Sequence, residues 1–189
     1  MIKFQNKYRI PSARAVWWNY SNEGSYFVTI CSHKRQFFFG DVSDQKMELS
    51  SIGKLADQFW SEIPYHFPFV KLHAFVVMPN HVHGIIEIIN HANNAETLHA
   101  TSVHEMPMPD KSNAKNENMA AISPKKGSLA CIIRSYKSAV TKKARLINPK
   151  FKWQERFHDH IIRDDQEYYR ISNYINNNPQ KWGEDKFKE

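Results

Sequence analysis

The amino-acid sequence predicts an α+β protein built on antiparallel strands. Two apolar segments, 70–78 (VKLHAFVVM) and 81–89 (HVHGIIEII), are separated only by Pro79–Asn80, so they should form two strands joined by a tight turn. A third strand is predicted at 26–31 (YFVTIC), which is rich in β-branched and aromatic residues and follows the turn-forming segment SNEG. Two longer segments carry apolar residues at steps of three and four, as amphipathic helices do.

A hairpin and a helix are predicted ahead of this strand pair. Segments 36–39 and 47–49 could pair across Gly40–Asp41. From residue 51 to residue 63 the apolar positions recur at helical spacing, and Pro64 should end that helix.

The remaining elements are an insertion, a basic helix, a strand and a closing helix. Residues 91–127 are rich in Asn, Ala, Met, Lys and Pro and contain no aromatic residue, which predicts a flexible inserted loop. Ser128 or its neighbour should open a helix with an apolar inner face and a largely basic outer face. A short strand is predicted at 157–163, and Asp164 or Asp165 should cap the last helix.

Length and composition indicate one domain with a basic surface. The 189 residues are 41% apolar and 13% aromatic, enough for one buried core, so we expect a single domain over residues 1–189. Lys and Arg outnumber Asp and Glu by 26 to 19, which raises the local concentration of polyanions such as nucleic acid. Cys31 and Cys131 lack CxxC spacing, which suits a reducing compartment. No segment approaches the roughly 20 apolar residues of a membrane span, so a cytoplasmic protein is expected.

His81 and His83 are the residues that most need a chemical explanation. Alternate side chains of a strand share a face, so the two imidazoles should lie side by side while Val82 enters the core. On the last helix, Tyr174 and Asn178 lie four residues apart at the edge of an apolar stripe. If that helix packs near the histidines, the site could hold a divalent ion such as Mg²⁺ or Mn²⁺ beside a nucleophilic phenol. Each feature alone has a simpler explanation, as a polar sheet face or as amphipathic packing.

Three separated segments resemble the REP-associated tyrosine transposases, within the wider group of single-tyrosine HUH transposases of insertion sequences. They are VVMPNHVH, WQERFHDHIIRDDQEYYRISNYINNNP and, more loosely, SYFVTICSHKRQ. The resemblance implies a ferredoxin- or RRM-like α+β fold with a central antiparallel sheet flanked by helices. It implies that His81, His83 and Asn178 bind the metal and that Tyr174 is the nucleophile.

The same resemblance implies an activity on single-stranded DNA that carries hairpins. Such enzymes cleave beside a hairpin, leave a 5′-phosphotyrosine and a free 3′-hydroxyl, and can later reseal the strand. It implies a cytoplasmic, nucleoid-associated prokaryotic protein, and both homodimers and monomers fit the pattern. The candidate DNA-binding residues are Arg14, Lys34, Arg35, Arg134, Lys137, Lys142, Lys143 and Arg163.

Several alternatives stay open at this point. The chain could be a catalytically silent descendant that only binds hairpin DNA or RNA, a four-stranded RNA-binding sheet, or a structural zinc protein, although clustered cysteines are lacking. His158 and His160 could form a second metal site, but hydrogen-bonded surface histidines are the favoured interpretation. Tyr168 and Tyr169 compete with Tyr174 as nucleophile, yet helical geometry places both away from the edge that carries Asn178.

Overall fold

A computed structural model describes residues 18–89, 124–185 and 187–188, together with the backbone of residues 3–4 and 7–8. The strands are β1 (Lys3–Phe4), β2 (Lys7–Tyr8), β3 (Gly24–Cys31), β4 (Gly40–Ser43), β5 (Lys46–Leu49), β6 (Val70–Met78), β7 (His81–Ile88) and β8 (His158–Ile162). The helices are α1 (Ser51–Ser61), α2 (Ile63–His66), α3 (Leu129–Ile147) and α4 (Asp165–Asn176). Most of the predicted 91–127 insertion and Arg14 lie outside the described residues.

Four strands form the central sheet in the order β6-β7-β3-β8, and each neighbouring pair is antiparallel. The predicted strand at 26–31 lies within β3, which is paired on both sides. The segments on either side of Pro79–Asn80 pair antiparallel, as the tight turn between them predicts. The prediction of an α+β fold with a central antiparallel sheet flanked by helices is therefore confirmed.

The two faces of β7 enter two different apolar clusters. Val82 and Ile86 belong to the large core, which α1 and α3 complete with residues such as Trp60. Ile85 points the other way and packs against Ile171 and Ile175 of α4. Because side chains alternate along a strand, His81 and His83 share the face that α4 covers.

The predicted hairpin turn at Gly40–Asp41 is wrong. β4 and β5 pair with Gly40 opposite Leu49, and Asp44–Gln45 forms the turn instead, with φ angles of 49° and 61°. Two successive left-handed residues are typical of a tight two-residue hairpin, but they usually include Gly or Asn, so the sequence signal was weak. Gly40 begins β4. A Cβ at this position would lie 1.9 Å from the carbonyl oxygen of Glu48.

Side-chain caps fix the starts of the three longer helices. The side chains of Ser50, Ser128 and Asp164 each accept a hydrogen bond from a backbone N–H in the first turn of the helix that follows. The sequence predicted Ser128 or its neighbour, and Asp164 or Asp165, as these helix starts. Pro64 lies in the first turn of α2, where proline is tolerated, so it opens a short helix rather than only ending α1. In the described part of the chain, no helix is long and apolar enough to span a membrane.

Candidate active site

His81 and His83 lie at the start of β7, directly after the turn from β6. Their ring centroids are 4.3 Å apart, and both side chains are buried. β3 runs beside them, with Cys31 opposite His81 and Thr29 opposite His83. The histidines thus form one row of the sheet face that α4 covers.

Asn80 fixes the tautomer of His81. The amide nitrogen of Asn80 donates to the carbonyl oxygens of Arg35 and Phe187, so its Oδ1, 2.8 Å from Nδ1 of His81, must accept from that ring nitrogen. Nε2 of His81 therefore carries a lone pair, and it is buried without a hydrogen-bond partner among the described residues. Burial, with a smaller effect of the Arg35 charge, lowers the pKa of His81 to about 3. The imidazole is neutral, as a metal ligand must be.

His83 is held between the sheet and the last helix. Its Nδ1 lies 2.8 Å from the hydroxyl of Thr29, and its Nε2 lies 3.2 Å from the hydroxyl of Tyr174. The ring of Phe27 stacks at 5.3 Å on the His83 ring. One ring nitrogen is thus oriented by the sheet, and the other faces the phenol.

Tyr174 lies on α4 and faces His83, whereas Asn178 lies beyond the end of α4, which stops at Asn176. Asn178 is buried, and its Oδ1 has no hydrogen-bond partner in the described part of the chain. Burial raises the pKa of Tyr174, the negative charge of Asp185 adds to this, and a hydrogen bond with Asn178 acts in the opposite direction. This juxtaposition of phenol, amide and imidazoles forms within one chain, so no second subunit is needed to assemble it.

Asp185 is a further member of the site that the sequence analysis missed. One ligand atom from each of His81, His83 and Asp185 can be chosen so that all lie within 4.8 Å of one another. No spacing rule relates a carboxylate near the end of the chain to a histidine pair about a hundred residues earlier. Two imidazoles, a carboxylate and an amide oxygen without a partner form a donor set that fits a divalent cation.

A cleft of about 830 Å³ opens beside these residues, between β3, β8, α4 and the end of the chain. Its basic lining residues are Arg35, Arg156, Arg170 and Lys181. Only Arg35 was among the predicted DNA-binding residues, because the other three share no helix face or charge run that would single them out. The tertiary structure brings them together around Tyr174.

The other predicted basic residues lie elsewhere. Lys137 and Lys142 line a second depression of about 650 Å³ with Arg145 and Lys152. Lys137 was expected on the outer face of its helix, but it is half-buried, it donates to the Gln154 carbonyl oxygen, and burial lowers its pKa to about 8. Four of the predicted DNA-binding residues, Lys34, Arg134, Lys143 and Arg163, are exposed and lie outside both depressions.

The competing histidines and tyrosines have other surroundings. His158 and His160 are exposed at the cleft, and Nε2 of His160 lies 2.8 Å from a carboxylate oxygen of Glu167, as the surface interpretation expects. The hydroxyl of Tyr168 lies 2.9 Å from Nδ1 of His73, on β6. Tyr169 is 65% exposed.

Comparison with known proteins finds a sequence relative and similar solved structures. No protein-family model matches the chain. A Haemophilus influenzae protein, itself uncharacterized, is 38% identical over 178 residues, which cover 92% of this chain and 90% of the relative. A REP-associated tyrosine transposase bound to a REP hairpin is 18% identical, with a TM-score of 0.49 and coverage of 90% of this chain and 75% of that chain. A candidate transposase of Deinococcus radiodurans is 13% identical, with a TM-score of 0.42 and coverage of 88% and 97%.

Proposed function

This chain belongs to the same family as the Haemophilus influenzae relative, and we propose that it is a metal-dependent transposase and endonuclease of single-stranded DNA. It would cleave and rejoin DNA next to hairpins through a covalent 5′-phosphotyrosine. The three sequence segments that resemble REP-associated tyrosine transposases support this activity. Their separate residues converge on one site, which supports it further.

One observation carries the proposal. The Tyr174 hydroxyl lies 3.2 Å from Nε2 of His83, in a site where the buried Nε2 of His81 and Oδ1 of Asn178 lack partners. Buried polar atoms are nearly always hydrogen-bonded, so these two buried acceptors without a partner among the described residues are suited to bind a cation.

His81, His83 and Asn178 would hold the ion, which we expect to be Mg²⁺ or Mn²⁺. Asn80 and Thr29 hold the Nδ1 atoms of the two imidazoles, an arrangement that orients metal-binding histidines. When bound, such an ion supplies Lewis-acid polarisation of a phosphate oxygen.

Tyr174 would carry out the covalent step. Its oxygen forms a bond to the phosphorus while the bond from phosphorus to the 3′ oxygen breaks. The phenol loses a proton and the departing 3′ oxygen gains one, so the step consumes no net proton. The bond energy is kept in the phosphotyrosine, and attack by a 3′-hydroxyl reverses the reaction without an external energy source.

The cleft beside Tyr174 fits a single strand of nucleic acid. Arg35, Arg156, Arg170 and Lys181 place positive charge along it, which favours a phosphate backbone. Phe27 and Phe157 also line the cleft and offer apolar ring surface. Stacking of an unpaired base on such a ring needs a strand that is not already base-paired.

The test is to incubate the protein with hairpin-bearing single-stranded DNA and Mn²⁺ and to look for a protein band covalently linked to DNA. We expect the adduct with the wild type and its loss in Tyr174→Phe. Tyr169→Phe is the matched control, because Tyr169 lies on the same helix but is exposed to solvent. An adduct that persists in Tyr174→Phe would assign the nucleophile to another residue. Hairpin binding by the wild type with no adduct at all would favour the catalytically silent binding module.

A further inference from the structure

The last turn of the chain closes over the histidine pair. Residues 182–185 and 187, the C-terminal segment, follow α4 and fold back onto the turn between β6 and β7. The ring of Phe187 lies 4.7 Å from the ring of His81 and 5.7 Å from that of His83. Asp185 follows the buried Trp182 in the sequence, and its Oδ1 accepts from the N–H of Phe187 at 2.8 Å.

We propose that Asp185 is a metal ligand, so that the divalent ion ties the C-terminal segment to the histidine pair of β7. This rests on the proposed function, because it concerns the same ion. The carboxylate can place an oxygen within 4.8 Å of a ring nitrogen of each histidine. Only one Asp185 oxygen is engaged by the Phe187 N–H, and a carboxylate has several lone pairs to offer.

Asn80 connects the ligand set to the segment. Its Oδ1 accepts from Nδ1 of His81, while its amide nitrogen donates to the carbonyl oxygen of Phe187. The same side chain therefore orients one metal ligand and anchors the segment that carries another. The guanidinium of Arg35 lies 5.0 Å from the centre of the Phe187 ring and adds a second attachment. These links place Asp185 at the site before any ion is bound.

The positive charge of a divalent cation favours a carboxylate among its ligands at this position. Two neutral imidazoles and a neutral amide bring no negative charge to a divalent cation. Asp185 would supply one, and Mg²⁺ and Mn²⁺ favour carboxylate oxygen among protein ligands. Glu184, the next residue along the chain, is exposed, and its carboxylate is not part of the group formed with the histidines.

The experiment measures Mn²⁺ binding to the full chain without DNA, by calorimetry or by electron paramagnetic resonance of the free ion. Asp185→Asn keeps the shape of the side chain and removes its charge, and we expect Mn²⁺ to bind at least about tenfold more weakly. Glu184→Gln is the matched control and should bind as the wild type does. His83→Ala identifies the site, because it should abolish the binding that Asp185→Asn weakens.

A second readout follows the segment itself. Lys181 is an exposed trypsin site directly before the segment. Mn²⁺ should slow cleavage there in the wild type and in Glu184→Gln, and this protection should be lost in Asp185→Asn. Thermal unfolding of each metal-free variant checks that the fold is retained.

Two outcomes would overturn the assignment. If Asp185→Asn binds Mn²⁺ as the wild type does while His83→Ala loses binding, the carboxylate is not a ligand. If His83→Ala also binds unchanged, the ion is held elsewhere. The first result leaves the histidine ligands and the Tyr174 adduct of the proposed function intact, whereas the second would also contradict the histidine pair as ligands. Weaker Mn²⁺ binding by Asp185→Asn in a protein that forms no adduct would contradict only the proposed covalent activity.

Discussion

Gly84 follows the histidine pair, and replacing it with alanine tests how closely helix α1 packs against β7. A Cβ at this position would lie 2.3 Å from Cζ2 of Trp60, 2.9 Å from its Cε2 and 3.0 Å from Cβ of Phe75. Attractive carbon contacts begin near 3.5 Å, so the nearest distance is short by about 1.2 Å. The close approach of helix α1 to the strand backbone is therefore possible only without a side chain at Gly84.

The surroundings give the clash little room to relax. Trp60 is fully buried and packs against Phe75 and Tyr136, with ring centroids 5.9 Å and 5.2 Å away. β7 is bonded to β6 and β3 on its two sides. Overpacking in such a core costs about 1–3 kcal/mol, so Gly84→Ala should lower the free energy of unfolding by at least about 1 kcal/mol.

Urea unfolding followed by circular dichroism measures this change. Gly183→Ala is the matched control, because a Cβ there meets nothing within 4 Å, and it should stay within about 0.5 kcal/mol of the wild type. In a Trp60→Phe background, which removes the indole atom Cζ2, Gly84→Ala should cost less, with a coupling of about 0.5 kcal/mol or more. A Gly84→Ala protein as stable as the wild type, with an unchanged urea midpoint, would refute this account of how α1 packs on β7.

Two further predictions concern His81 and Tyr168. The folded pKa of His81 is about 3 and its unfolded value is near 6.5, so between these pH values the unfolded chain binds the extra proton. The free energy of unfolding of the metal-free protein should therefore fall as the pH drops through this window, by up to about 1.4 kcal/mol per pH unit. His81→Gln should make this dependence on pH weaker in urea unfolding measured at several pH values. The same dependence in the wild type and the variant would contradict burial of the His81 ring. Tyr168→Phe removes the hydrogen bond to His73 and should cost about 0.5–1.5 kcal/mol in urea unfolding, yet the DNA adduct should still form. Loss of that adduct at full stability would make Tyr168 a participant in the chemistry.

Local patterns were enough to predict several parts of this protein. The alternation of HVHGIIEII predicted that His81 and His83 share a face of the strand, and β7 has that arrangement. The four-residue spacing of Tyr174 and Asn178 predicted a common edge of the last helix; Tyr174 lies on α4 and faces His83, but α4 ends at Asn176, so Asn178 lies beyond the helix. The hairpin turn was misplaced, because Asp44 and Gln45 adopt left-handed conformations without the glycine that usually marks them.

The sequence by itself determined the central strands, the longer helices and the shared strand face of His81 and His83, because hydrophobic periodicity and helix caps act over a few neighbouring residues. Only the tertiary structure decided that Asp185 lies near the two histidines and that the basic residues of the cleft surround Tyr174. It also decided that Asn80 binds Nδ1 of His81, which leaves Nε2 as the ring nitrogen that carries the lone pair. These groups come from distant parts of the chain and meet through packing and hydrogen bonds across the sheet. No spacing in the sequence encodes such distances.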